Sequence, residues 1–155
     1  MLKTSKKTRG FTLVELMVTL AVLAIIIGIA VPNMGTFIKK QAVRSTADEM
    51  VLSMVYARSE ALKTNKNTFV LPVAGGWANG WCITTSTNCT KEAGLLRLFT
   101  PSRKNLEFKD FGAQFGFTGK GMRSLSSSIG GTIKNDVEQR CIEVSFSGHT
   151  KVTDC

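Results

Sequence analysis

Gly10-Phe11-Thr12-Leu13-Val14-Glu15 opens a run that continues Leu16-Met17-Val18-Thr19-Leu20-Ala21-Val22-Leu23-Ala24-Ile25-Ile26-Ile27-Gly28-Ile29-Ala30-Val31 and stops at Pro32. From Phe11 to Val31, 21 residues carry one charge, Glu15, and two hydroxyls, Thr12 and Thr19. About 20 apolar residues are enough to cross a hydrocarbon layer. Upstream lie Lys3, Lys6, Lys7 and Arg9; downstream, about 120 residues remain, enough for one core and too few for two. The chain of 155 residues has 20 Lys and Arg against 11 Asp and Glu, a net charge of +9. Setting aside the four leading cations leaves 16 against 11, a mildly basic remainder compatible with nucleic acid or anionic surfaces but requiring neither. The chain has no internal repeat, long heptad run or low-complexity bias, so solenoids, coiled coils and disordered tracts are excluded.

Three readings fit a basic start followed by an apolar run. A cleaved secretory signal needs a shorter apolar stretch, with Gly28-Ile29-Ala30 as its cleavage site. A plain anchor fits the length, with residues 1–9 kept in the cytoplasm by their charge and the body sent outward. Neither explains Glu15, because a carboxylate inside a membrane costs several kcal/mol unless it finds a partner. The third reading does: the hexapeptide resembles the class III signal of type IV pilins and type II secretion pseudopilins. That resemblance implies that a membrane peptidase cuts after Gly10 and methylates Phe11. It also implies that Glu15, fifth in the mature chain, sets axial register by pairing with a neighbour's N-terminal amine, since a buried carboxylate becomes tolerable beside a cation. Pro32 falls where pilins also carry proline. It removes the helical hydrogen bond to the Gly28 carbonyl, so a kink is expected over Gly28–Pro32.

After Pro32 the apolar positions Met34, Phe37, Ile38, Val43, Ala47, Met50, Val51, Met54, Val55, Ala61 and Leu62 recur in steps of three and four, the pattern of an amphipathic helix. Arg44 and Asp48, four apart, can support its wet face. The helix should stop near Asn65-Lys66-Asn67, about 55 residues and roughly 80 Å from Phe11. Beyond it the period becomes two. Strands are expected over 68–73, 80–85, 95–100, 106–109, 113–118, 131–134, 140–147 and 150–153, with turn-rich linkers at 74–79 and 119–128. The class is α+β, a long N-terminal helix packed on an antiparallel body. The division is a leader at 1–10, a transmembrane and filament-core helix at 11–32, and a periplasmic domain at 33–155.

The body narrows the resemblance. Tyr56-Ala57-Arg58-Ser59-Glu60-Ala61 resembles the helix end of the GspH/FimT/FimU branch. Gly75-Gly76-Trp77 with Gly80-Trp81 resembles its approach to the second strand, and Phe115-Gly116-Phe117-Thr118-Gly119-Lys120-Gly121 its hairpin. For both Trp residues, core packing is the plain expectation. Ser147-Gly148-His149-Thr150-Lys151 occupies the place of a C-terminal GRxR motif that, in FimT-type minor pilins, implies DNA capture. Here His149 and Lys151 replace both arginines, so the guanidinium fork is lost. Two readings of this tail stand side by side: a turn glycine with solvated neighbours, or a phosphate patch of Lys120, Arg123, His149 and Lys151.

Cys82, Cys89, Cys141 and Cys155 are an even set in an exported chain, and four cysteines allow three pairings. Cys82–Cys89 with Cys141–Cys155 is favoured because each pair flanks a short hairpin-like stretch; such loops are worth about 2.5–3 kcal/mol each. Zinc competes poorly, with one histidine and no Cys-x-x-Cys. No nucleophile elbow or phosphate loop is present, so catalysis, a metal and a cofactor are not expected. The resemblance implies a non-catalytic minor pilin priming type IV pilus assembly at or near the tip. The alternatives are a DNA-binding minor pilin of natural transformation (competence) and an H-type pseudopilin of type II secretion. Implied partners are other minor and major pilins, the prepilin peptidase, the inner-membrane assembly platform and, weakly, DNA. The implied location is the bacterial inner membrane with a periplasmic body, and later an extracellular pilus or periplasmic pseudopilus.

Overall fold

The computed structural model describes residues 10–90, 94–101 and 105–155, with backbone alone for 29–33. The leader cations therefore lie outside the described residues, as does the Pro32 side chain. Among the described residues a single α-helix, α1, runs Leu13–Thr64. The chain divides into two compact units, Met1–Phe37 and Ile38–Cys155.

In the first unit, α1 presents Leu13, Val14, Leu16, Met17, Val18, Leu20, Val22, Leu23 and Ile25–Ile27 outward, all exposed. This face is apolar all round, as expected of a segment that is covered by something else. The Thr19 hydroxyl donates to the Leu16 carbonyl at 2.8 Å, so the run's inner hydroxyl is satisfied within the helix. The apolar stretch with described side chains is Leu13–Gly28, about 24 Å of helix, and among the described residues no helix is long and apolar enough to cross a membrane. Helical backbone passes through Gly28 and position 32 without a break.

In the second unit α1 is one-sided. Val43, Ala47, Met50, Met54, Ala57 and Ala61, spaced by three and four, are fully buried. Three of the six are alanines, which let sheet backbone approach closely. Val55 and Leu62, expected on the same face, are half exposed. Arg44 reaches not Asp48 but Glu138, at 3.1 Å. Asn65, at φ 52°, ends the helix in the left-handed conformation that Asn tolerates.

Among the described residues eight strands follow: β1 Thr68–Pro72, β2 Trp81–Thr84, β3 Leu95–Phe99, β4 Glu107–Lys109, β5 Phe115–Phe117, β6 Gly130–Lys134, β7 Gln139–Val144 and β8 Thr150–Thr153. They form two antiparallel sheets, ordered β3-β2-β1-β5 and β4-β6-β7-β8. All eight lie where the alternation places them, most with shorter ends. The expected strand to Ser147 stops at Val144, because the Ser145 N–H turns back to the His149 carbonyl at 2.9 Å and closes the β7–β8 hairpin.

Both tryptophans pack in the core, as expected. Trp81 Nε1 donates to the Ser53 hydroxyl of α1 at 2.8 Å, and Trp77 Nε1 to the Gly112 carbonyl at 3.0 Å. Phe99, Phe108, Phe111 and Phe115 ring them at centroid distances of 5.4 to 6.4 Å. Removing a buried ring of this size costs about 3–5 kcal/mol.

Candidate functional site

The N-terminal junction comes first. Gly10 and Phe11 precede the helix and are exposed. Thr12 then caps it: the Glu15 N–H donates to Thr12 Oγ1 at 3.2 Å, and the Thr12 N–H donates to Glu15 Oε2 at 3.2 Å. This is a reciprocal capping box, satisfying two otherwise orphaned donors. Sequence reasoning treated Glu15 as a register residue alone; the Thr-x-x-Glu spacing was the signal that it also starts its own helix. Among the described residues the hydrogen bonds to the Glu15 carboxylate go to Oε2 and none goes to Oε1. An acid in the first turn also suits the positive end of the helix dipole.

The second cluster lies at one end of the body, where three segments meet: the last turns of α1, the turn 118–122 and the turn 145–149. Arg58 holds them together. Its Nε donates to the Gly121 carbonyl at 2.8 Å and its NH2 group to the Ser147 carbonyl at 2.9 Å. Gly148 needs to be glycine twice over. Its φ is +79°, and a Cβ there would run into the Gly121 carbonyl oxygen and the Arg58 guanidinium. The plain reading of the Gly148 turn therefore describes its backbone correctly.

The four proposed phosphate-binding side chains are only partly gathered here. Lys120 is exposed at the tip of its turn, and His149 is exposed beside Gly148. Arg123 is tied inward, its NH1 donating to the Ser127 carbonyl at 3.0 Å while its backbone N–H donates to Phe146. Lys151 sits on β8 against Glu143 at 2.9 Å, in a shallow depression of about 510 Å³, its charge matched by that cross-strand partner. Among the described residues the exposed Lys120 and His149 have no ion pair, whereas Arg123 and Lys151 are engaged. What sequence reasoning missed is Arg58, which ties the end of α1 to both turns.

Cys82 is bonded to Cys89, and Cys141 to Cys155, with Cα separations of 5.8 and 5.1 Å. The first ties β2 to the loop after it; the second ties β7 to the residues beyond β8. Among the described residues no group of three or more His, Cys, Asp or Glu is arranged to hold a metal.

At the other end of β7, the turn 135–138 is fastened to α1. Lys39 pairs with Asp136 at 2.6 Å, Asn135 Nδ2 donates to the Lys39 carbonyl at 2.8 Å, and Arg44 pairs with Glu138. The Lys39 hydrogen bond holds the Asp136 carboxyl below its ordinary range, and the Arg44 hydrogen bond does the same for Glu138.

A family model described as type II transport protein GspH matches residues 46–148, and one described as the prokaryotic N-terminal methylation motif matches residues 5–31. Two crystal structures of the type IV minor pilin FimU of Pseudomonas aeruginosa PAO1 are similar in fold. The form in space group P21 has a TM-score of 0.60 at 19% identity, covering 72% of this chain and 87% of that one. The form in space group P65 has a TM-score of 0.59 at 20% identity, covering 71% and 91%. No curated protein sequence matches the chain.

Proposed function

The chain belongs to the family of the type II transport protein GspH, and on that basis we propose that it is a minor pilin, a non-catalytic subunit that helps prime a type IV pilus and sits at or near its tip. The observation that carries the reading is the coupling, in one chain, of an N-terminal methylation motif at residues 5–31 to a GspH body at 46–148. In this reading a prepilin peptidase removes residues 1–10 and Phe11 becomes the methylated N-terminus. The apolar segment 11–32 then anchors the subunit in the inner membrane, and the body from 33 onward lies in the periplasm. During extraction by the assembly platform, that segment packs among those of neighbouring pilins. Oε1 of Glu15 meets a neighbour's N-terminal amine, while Oε2 keeps its own helix capped. A cation beside the carboxylate in low dielectric is what makes the charge tolerable there. Pro32 and Gly28 give the helix a place to bend as the anchor enters the bundle.

The family description supports a second reading, in which the same subunit serves a type II secretion pseudopilus. Intact mass and N-terminal sequencing of the chain from membranes test the common part: the mature protein should begin at N-methylated Phe11. A chain beginning at Val31, or one still carrying its leader where the peptidase is active, overturns it. Gene deletion separates the two machines, with loss of surface pili expected for a type IV pilus and loss of secreted enzymes for the alternative.

A further inference from the structure

An unpaired sheet edge is a row of free N–H and C=O groups, and natural sheets blunt such rows. Among the described residues the two sheets have four edges, and three of them are blunted. On β5 the segment 124–128 covers the edge: the Ser124 N–H donates to the Gly116 carbonyl, the Ser128 N–H to the Gln114 carbonyl and the Gly116 N–H to Ser127 Oγ, each at 2.8 Å. β4 has three residues, two of them charged, Glu107 and Lys109. β8 carries Lys151 and is followed by the bridged Cys155. β3 is the exception. It has five residues and one charge, Arg97, with Leu96 and Leu98 exposed at 36% and 58%.

The ladder shows which groups of β3 face out. The Val73 N–H donates to the Gly80 carbonyl, so by antiparallel alternation Gly80 and Cys82 bond toward β1, and Trp81 and Ile83 toward β3. Arg97 and Phe99, opposite Ile83 and Trp81, are thus tied to β2. Leu98, between them, turns its own N–H and C=O outward, and among the described residues nothing bonds to either. Its side chain lies on the face of Cys82, where with Leu71, Pro72 and Cys89 it lines a trough of about 670 Å³. Arg97 lies on the opposite face. Its guanidinium stands 5.5 Å from the ring centroids of Tyr56 on α1 and of Phe99. Such stacking fixes the plane of the fork and leaves its N–H groups open, and among the described residues Arg97 has no hydrogen bond or ion pair. A fork held in this way is preorganised for a carboxylate.

We propose that the edge of β3 is a docking strip for an extended segment of a partner protein, which adds itself to the sheet as a fifth strand with a carboxylate opposite Arg97 and an apolar side chain beside Leu98. Main-chain bonds supply the affinity of such an addition, and the alternate side chains supply its specificity. β3 contains no acid, so the β3 of a second copy cannot provide the carboxylate. The strip goes beyond the assembly reading, which rests on segment 11–32.

Fluorescence anisotropy tests this with the full-length chain in uncharged detergent and a labelled nine-residue peptide, threonine and valine alternating, with a central glutamate in a threonine position. Binding is expected with a Kd of about 10–300 μM, because one added strand buries less than the roughly 1,200 Å² of a stable interface. Replacing the peptide's glutamate by glutamine should weaken binding about tenfold, since a charge-assisted pair is lost. Arg97→Gln should weaken it as much and erase the preference for glutamate, which a merely structural arginine would not do. Leu98→Pro removes an outward N–H that the ladder to β2 does not use, and should abolish binding. Circular-dichroism melting checks that both variants are folded. Peptides N-methylated on alternate amides, in the two frames, probe the same bonds with the native chain: one frame should bind and the other should not. The proposal is overturned by absence of binding at about 1 mM chain, by two methylated frames that behave alike, by a folded Leu98→Pro chain that binds like the native one, or by an Arg97→Gln chain that still prefers glutamate. Concentration-dependent dimers in light scattering, lost with Leu98→Pro, would assign the edge to a second copy and overturn the choice of partner. The assay contains no other subunit and leaves segment 11–32 untouched, so its failure leaves the assembly reading intact.

Discussion

Glu15 has two tasks that one substitution can separate. Glutamine can replace glutamate in a capping box but carries no charge to offer a neighbour's amine. Glu15→Gln should therefore leave α1 properly started and the chain in the membrane fraction, yet enter sheared filaments poorly. Immunoblots of the two fractions read this, and normal incorporation would show that capping alone explains the residue. Arg58 works at the same scale. Its two hydrogen bonds are charge-assisted, each worth about 1.5–3 kcal/mol net. Arg58→Ala should lower the melting temperature by several degrees. Arg58→Lys should recover little, since an ammonium cannot reproduce a fork aimed at two separate carbonyls. That role was hidden in the sequence because its acceptors lie 63 and 89 residues away.

Among the elements, the β6–β7 turn depends most on electrostatics, through Asp136 and Glu138 against Lys39 and Arg44. Both carboxyls sit below their ordinary range in the folded chain, held there by their basic partners. The unfolded state therefore binds protons more readily, and stability must fall as pH falls. The contribution is fully present above the ordinary carboxylate range, roughly pH 4–5, and is lost as pH drops through the lowered folded values. Thermal melts between pH 7 and 3 should show a flatter acid limb for Asp136→Asn combined with Glu138→Gln than for the native chain. The Asp136 carboxylate is exposed whereas the Glu138 side chain is largely covered, so added salt should shrink the Asp136 share of the difference. An acid limb that the double variant leaves unchanged would mean that other carboxylates govern acid unfolding.

For the molecule as a whole, the two disulfides compensate for a small core. They close short loops on different sheets, one beside β2 and one beyond β8. Non-reducing peptide mapping should recover Cys82 with Cys89 and Cys141 with Cys155, and nothing crossed. Reduction should destabilise the body by about 2–5 kcal/mol. Replacing Cys141 and Cys155 together should loosen β8 first, seen as faster amide exchange at 150–153, because β8 is an edge strand paired only with β7.

Much of this architecture is local, and local features are readable from the chain. The junction at Gly10-Phe11, the steps of three and four along α1, and the alternation that marks each of the eight strands all depend on near neighbours. So does the stop at Asn65. Strand ends shortened where alternation continued past the last ladder partner, as at Ser145. Partner choice is another matter. Arg44 faces Asp48 one turn away along the helix, yet it pairs with Glu138, because folding brings the 135–138 turn against that face. Lys151 pairs with Glu143 across a strand pair, whereas Lys63, Lys66 and Lys120, ordinary surface lysines in sequence, are brought to one end once Gly119 and Gly121 settle on the helix terminus. Periodicity and turn chemistry act within a few residues; a charge takes its meaning from whichever distant segment folding sets beside it.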